Sequence, residues 1–190
     1  MTLFLVVVLG GAAVVVAYGI MIYNNLVTLK HNVGKAWANI DVLLKQRHDE
    51  LPKLVETCKQ YMKFEQETLE RVMQARSRVQ AARESQDIPA LGQAEGALRL
   101  GLGNLFAVAE AYPELKTNET FQHLQGRITQ LESAIADRRE FYNDSVNVNN
   151  VRVEQFPDNV VAGMFAFRPF QLLEFQAEEK ADVDVKKLFA

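Results

Sequence analysis

The chain has 190 residues, 48% of them hydrophobic and 24% charged, with a formal net charge of −3 and a pI near 5.7. This length suits one globular body, and the mildly acidic, well-mixed charge excludes the clearly basic domain that nucleic-acid binding requires. The single cysteine, Cys58, allows no intramolecular disulfide, which is compatible with a reducing compartment.

The first 29 residues carry no charged side chain, and an almost unbroken apolar run extends from Leu3 to Ile22. At about 1.5 Å per residue such a run makes a helix of about 30 Å, the thickness of a bilayer's hydrocarbon core. Residues 1–22 therefore read as a transmembrane anchor. Ala17-Tyr18-Gly19 has the small residues of a signal-peptide cleavage site, but signal peptides open on Lys or Arg, and no basic side chain precedes Lys30. A lipoprotein anchor fits poorly, since Cys58 lies far downstream. Lys30 and Lys35, followed by Lys45, Arg47 and Lys53, predict a short N-terminal tail outside and the main body in the cytoplasm, because only basic residues near a span strongly bias its insertion.

Leu26, Leu29, Val33, Trp37, Ile40 and Leu44 recur at spacings of three and four and predict a first helix over about 23–50. No proline separates Gly19 from Glu50, so anchor and helix are expected to form one rod of about 45 residues, roughly 70 Å. Prolines are taken as helix boundaries, so Pro52 opens a second helix over about 52–85. Its stripe is Leu51, Val55, Cys58, Met62, Leu69, Val72 and Val79, with Glu65, Arg76 and Arg83 in the same register as either paired or snorkelling charges.

Asp87 is a candidate N-cap two residues before Pro89, starting a third helix over about 89–112 with Leu91, Ala94, Leu98, Leu102, Leu105 and Ala109 on its stripe. Gly92, Gly96, Gly101 and Gly103 in that pattern point to close backbone approach. A phosphate-binding loop at Gly101-Leu102-Gly103 fits poorly, for no strand precedes it.

Pro113 ends this helix, and Thr117 or Asn118 caps a fourth over about 118–150, with Phe121, Leu124, Ile128, Leu131, Ile135 and Tyr142 on its stripe and Arg138 at a seam position. Asn143, Asn147, Asn149 and Asn150 either fix helix register through amide hydrogen bonds or end the helix. The expected fold class is all-α: a transmembrane helix, an up-and-down four-helix bundle with long, coiled-coil-like helices over residues 23–155, and a Phe-rich irregular C-terminal segment.

Residues 156–190 differ in kind. The stretch from Phe156 to Phe175 holds five phenylalanines but also prolines, a glycine, Asp158 and Arg168, so it cannot span a membrane again. It is expected to fold over the bundle's seam, to enter the membrane interface, or to dock on a neighbouring copy. The final charged stretch is expected to be mobile.

Catalytic patterns are absent. His31, His48 and His123 lack metal-ligand spacing, Cys58 sits on an apolar stripe, and Glu65, Glu67 and Glu70 read as a solvated face. No metal, cofactor or catalytic residue is expected.

Four segments, YNNLVTLKHNVGKAWANIDVLLKQRHDELPKLV (23–55), AEAYPELKTNETF (109–121), RREFYNDSVNVNN (138–150) and FPDNVVAGMFAFRPF (156–170), closely resemble the bacterial LemA family over nearly the whole chain. The resemblance implies a single-pass protein of the bacterial inner membrane with an up-and-down helical bundle and no established enzymatic activity. The positions it carries over are Tyr23, Asn24, Trp37, Asp41, Lys45, Arg47, Pro52, Glu110, Tyr112, Pro113, Lys116, Phe141, Tyr142, Asn143, Asn149, Phe156, Pro157, Gly163 and Phe167. Arg138, Phe165 and Phe170 join them as interaction candidates. Gln46, Lys53 and Val148-Asn149 depart from the family pattern. The functional expectation is a non-enzymatic protein that contacts membrane lipid and self-associates to organise or shape the membrane. The alternative is an adaptor that docks a partner such as a membrane protease or signalling component.

Overall fold

The computed structural model describes residues 1–174. It is all-α, with six helices and no strand among the described residues: α1 Thr2–Tyr61, α2 Gln66–Glu84, α3 Ile88–Ala109, α4 Pro113–Lys116, α5 Glu119–Glu154 and α6 Asp158–Met164. The charged stretch expected to be mobile lies outside the described residues, as does Phe175.

The expected boundary at Pro52 is absent, because Pro52 lies inside α1. A proline removes the hydrogen bond to the carbonyl four residues earlier, here that of His48. Arg76 of α2 supplies the replacement, its Nε donating to the His48 oxygen at 2.9 Å. The helix breaks instead at residues 62–65, where Met62 is fully buried and Phe64 is 94% exposed. The N-caps of α3 and α5 follow from their sequence: Asp87 accepts from the Ala90 amide at 3.0 Å and Asn118 from the Phe121 amide at 2.9 Å.

The chain divides into two compact units. Unit 1 comprises Met1–Asn39 with Glu140–Leu172, and unit 2 comprises Ile40–Arg139 with Leu173 and Glu174. The core of unit 2 is the set of stripes read from the sequence: Ile40, Leu44 and Leu51 on α1, Val72 and Val79 on α2, Leu98 and Leu105 on α3, Ile128 and Leu131 on α5, all buried. Burial stabilises by about 1.5–3 kcal/mol for each such side chain, which is why the three-and-four spacing decides the faces. α2 packs along α3. Gly92 of α3 shows the close approach expected of its glycines, for a Cβ there would lie 2.0 Å from the Glu174 carbonyl oxygen, whereas Gly103 faces open space.

Unit 1 has a bare part and a covered part. An 18-residue apolar window near the start of α1, long enough to cross a membrane, has no buried residue. Burial begins at Ile22 and Leu26, which form a small core with Ala162 of α6, flanked by Val153, Val161 and Phe167.

Candidate functional site

The membrane-proximal end of unit 1 gathers most of the aromatic candidates. Tyr23, the first residue after the apolar run, stacks in tilted fashion on Phe165, with ring centroids 4.7 Å apart, and meets Phe167 edge-on at 5.7 Å. Fourteen positions along α1, Trp37 packs edge-on against Tyr142 of α5, centroids 5.9 Å apart. The segment after α6 is held to α5 through its backbone. Asn150 accepts from the Phe170 amide at Oδ1 and donates from Nδ2 to the Phe170 carbonyl, both at 2.9 Å, while the Tyr142 hydroxyl donates to the Gln171 carbonyl at 3.0 Å. A strand partner would make the same two-point contact, so one amide side chain satisfies a stretch of backbone that has no sheet. Burial pushes the Tyr142 hydroxyl above its ordinary pKa, which keeps it a donor.

The fold-back places the Phe-rich segment over helices of its own unit. Its entry is held by Asp158, buried at the start of α6, which accepts from Arg152 at 3.2 Å and from Gln155 at 3.0 Å. Phe156, Val160, Met164 and Phe165 remain between 54% and 81% exposed. Within α6, Val160 and Met164 are four residues apart, on the side away from Ala162, and Phe156 and Phe165 flank the helix at its two ends.

Unit 2 holds the polar candidates. Arg47, with 1% of its side chain exposed, bridges Glu95 of α3 and Glu132 of α5. Two carboxylates hold the Arg47 guanidinium charged, its pKa above the usual arginine range although burial opposes this. Burial pushes Glu95 above the usual carboxylate range, against the attraction of Arg47. Asp41 and Arg83 form a two-point pair, Nε to Oδ1 at 2.5 Å and Nη2 to Oδ2 at 3.0 Å. The hydrogen bonds from Arg83 hold the Asp41 carboxyl below its usual range. Glu65 accepts from the Tyr112 hydroxyl at 3.4 Å. All three charges read at seam positions of the second helix therefore have partners, Arg76 at His48, Arg83 at Asp41 and Glu65 at Tyr112.

Other candidates are scattered. Arg138 is exposed, and the seam position falls on half-buried Arg139, because the spacing 135, 139, 142, 146 carries the stripe. Asn143 is engaged and half-buried, Asn149 is buried beside Asn150, and Asn147 is exposed. The asparagines do not end the helix, since α5 continues to Glu154. Asn24 is exposed, its carbonyl taking the Thr28 hydroxyl at 3.0 Å, and Pro113 starts the short α4. Phe141 is half exposed.

Sequence reading passed over Glu95, Glu132 and the His48 carbonyl. A signal for the first existed: Arg47 and Glu95 each fall on the three-and-four register of their helix's buried stripe, where an unpaired charge is too costly to persist.

Chemically these groups bind and brace. Burial raises the Cys58 thiol to about 12, leaving it protonated and unreactive at neutral pH. Among the described residues no group of three or more His, Cys, Asp or Glu could hold a metal ion.

An exposed apolar helix continuous with an all-α body, with an aromatic collar where the apolar run ends, defines a membrane-associated helical protein. The chain belongs to the LemA family, whose model matches residues 36–186. It is similar to magnetosome proteins MamQ 1 and MamQ 2 of Paramagnetospirillum magneticum, 24% identical to each over 87% of this chain and 69% of theirs. A third relative, magnetosome protein MamQ of Magnetospirillum gryphiswaldense, is 32% identical over 42% of this chain and 29% of its own.

Proposed function

We propose that this is a non-enzymatic membrane-anchored protein whose copies associate side by side and so organise or shape the membrane that holds them. The observation that carries this reading is an apolar stripe on α5 within unit 1. Phe141, Val148 and Val151 are each about half exposed, at intervals of seven and three residues, the seam spacing of helices that pair with other helices. Copies confined by α1 to one bilayer share a plane and an orientation, which raises their effective concentration for such pairing. The body lies in the cytoplasm at the bacterial inner membrane, oriented by Lys30 and Lys35. The absence of a break in α1 between the apolar run and Trp37 supports transmission of the anchor's orientation to the unit it enters. Relatives named for a cellular body rather than a reaction favour a structural role.

Light scattering of the full-length protein in detergent and in lipid nanodiscs tests the assembly. Multimers are expected, reduced to monomers by Val148→Lys with Val151→Lys, and a wild-type monomer in both media overturns the reading.

A specific feature favours an adaptor as the second reading. Phe64 is almost wholly exposed at the α1–α2 turn, close in sequence to Met62 and Lys63 of a cleft that Leu69 and Met73 also line. Crosslinking in cells separates the two: self-crosslinks support assembly, and one dominant foreign partner supports the adaptor.

A further inference from the structure

A cleft of about 480 Å³ opens in unit 1 just beyond the end of the apolar run. Tyr23, Lys30, His31, Asn149, Arg168 and Phe170 are among its lining residues, and among the described residues no Asp or Glu lines it. Lys30 and Arg168 have no carboxylate partner among the described residues, although ion pairs are made elsewhere in both units. Two cations and a histidine around one cavity, with no acid beside them among the described residues, suit an anion.

Its depth narrows the choice of anion. Lys30 lies eight residues past Ile22, about 12 Å along the helix. Helical side chains lean toward the N-terminus, here toward the bilayer, so the ammonium reaches back to the level of lipid headgroups. Tyr23 marks that level, as aromatic residues do at membrane interfaces. The small core that seats α6 is made with Ile22 and Leu26, and Phe165 stacks on Tyr23, so α6 lies beside the last turns of the apolar run with Val160 and Met164 exposed. We propose that this cleft binds the phosphate headgroup of an anionic phospholipid, with Lys30 and Arg168 meeting the phosphate and the exposed face of α6 lying along the upper acyl chain. The site rests on α1 crossing the membrane and is independent of self-association.

The test uses the full-length protein and native mass spectrometry. Nanodiscs of phosphatidylcholine containing a minor fraction of phosphatidylglycerol supply the lipid, and the lipid retained on release is counted. In separate arms the detergent-solubilised protein is titrated with short-chain phosphatidylglycerol, short-chain phosphatidylcholine and inorganic phosphate. Retention of phosphatidylglycerol over phosphatidylcholine is expected. Lys30→Ala with Arg168→Ala, both exposed, should lower its affinity by about 30-fold, since each basic residue near an anionic surface contributes about a fivefold effect. Arg78→Ala with Arg127→Ala, an equal charge loss at other exposed positions, should change it little.

Equal retention of the two lipids, or equal losses from the two double variants, would overturn the site. So would inorganic phosphate binding as well as phosphatidylglycerol, which would make it a site for free phosphate. Because retained lipid is read on each particle whatever its copy number, a monomeric protein that holds phosphatidylglycerol sinks the assembly reading alone.

Discussion

Arg76 donates from Nε to the carbonyl oxygen of His48 at 2.9 Å, the oxygen that Pro52 leaves without its helical partner. A second nitrogen of the same guanidinium lies 2.6 Å from the His48 Nε2. A side chain on α2 thus repairs α1 at the one place where its sequence interrupts its hydrogen bonds.

This repair predicts a coupling between positions 52 and 76. Arg76→Ala should cost about 1–3 kcal/mol by leaving a carbonyl unpaired. In a Pro52→Ala background, where the amide at 52 can bond the carbonyl itself, the same change should cost about 1 kcal/mol less. Urea unfolding of the four proteins in one detergent gives the cycle, and strict additivity would refute the relationship.

His48 also predicts a pH dependence. Burial first, and the Arg76 guanidinium second, hold its ring below the usual histidine pKa of 6.5. Above that value folded and unfolded rings are both neutral, and the full contribution to stability is present. As pH falls below it, the unfolded chain binds a proton that folded His48 does not, so stability declines until the folded ring also titrates. Thermal unfolding between pH 7 and pH 5 should show this decline, and His48→Gln should flatten it.

The Arg47 triad separates bracing from function. Arg47→Ala leaves Glu95 buried without its cation and should cost about 3–5 kcal/mol. Replacing the pair by apolar residues, Arg47→Met with Glu95→Leu, should restore most of that stability, because the buried charges are removed together. Circular dichroism melts compare the two. A double variant no more stable than Arg47→Ala would mean that the charges themselves are needed.

Gly92 predicts the fate of the chain beyond α6. A methyl group there would collide with the Glu174 carbonyl, a backbone atom that cannot swing aside. Gly92→Ala should release residues 173–174 from α3 and speed amide exchange there, while Gly103→Ala, which meets open space, should not.

Much of the helical content was legible because it depends on period. The buried stripes of α2, α3 and α5 fall where three-and-four spacing puts them, and Asp87 and Asn118 cap their helices because short polar side chains reach the next free amides. The break at residues 62–65 was not legible. No proline or glycine marks it, and the turn keeps the seven-residue spacing between Met62 and Leu69, so the stripe passes through without a slip of phase. Pro52 misled in the opposite direction, since its partner lies far along the chain on another helix.

The chain by itself determined that it carries a membrane-length apolar helix and an all-α body, since charge-free length and apolar period are local properties of the polymer. Only the tertiary structure decided that α1 continues through Pro52, that Arg47 meets two glutamates, and that Asn150 clasps Phe170. Each of these is a contact between groups distant in sequence, and the energy of a polar group depends on the partner that folding brings to it.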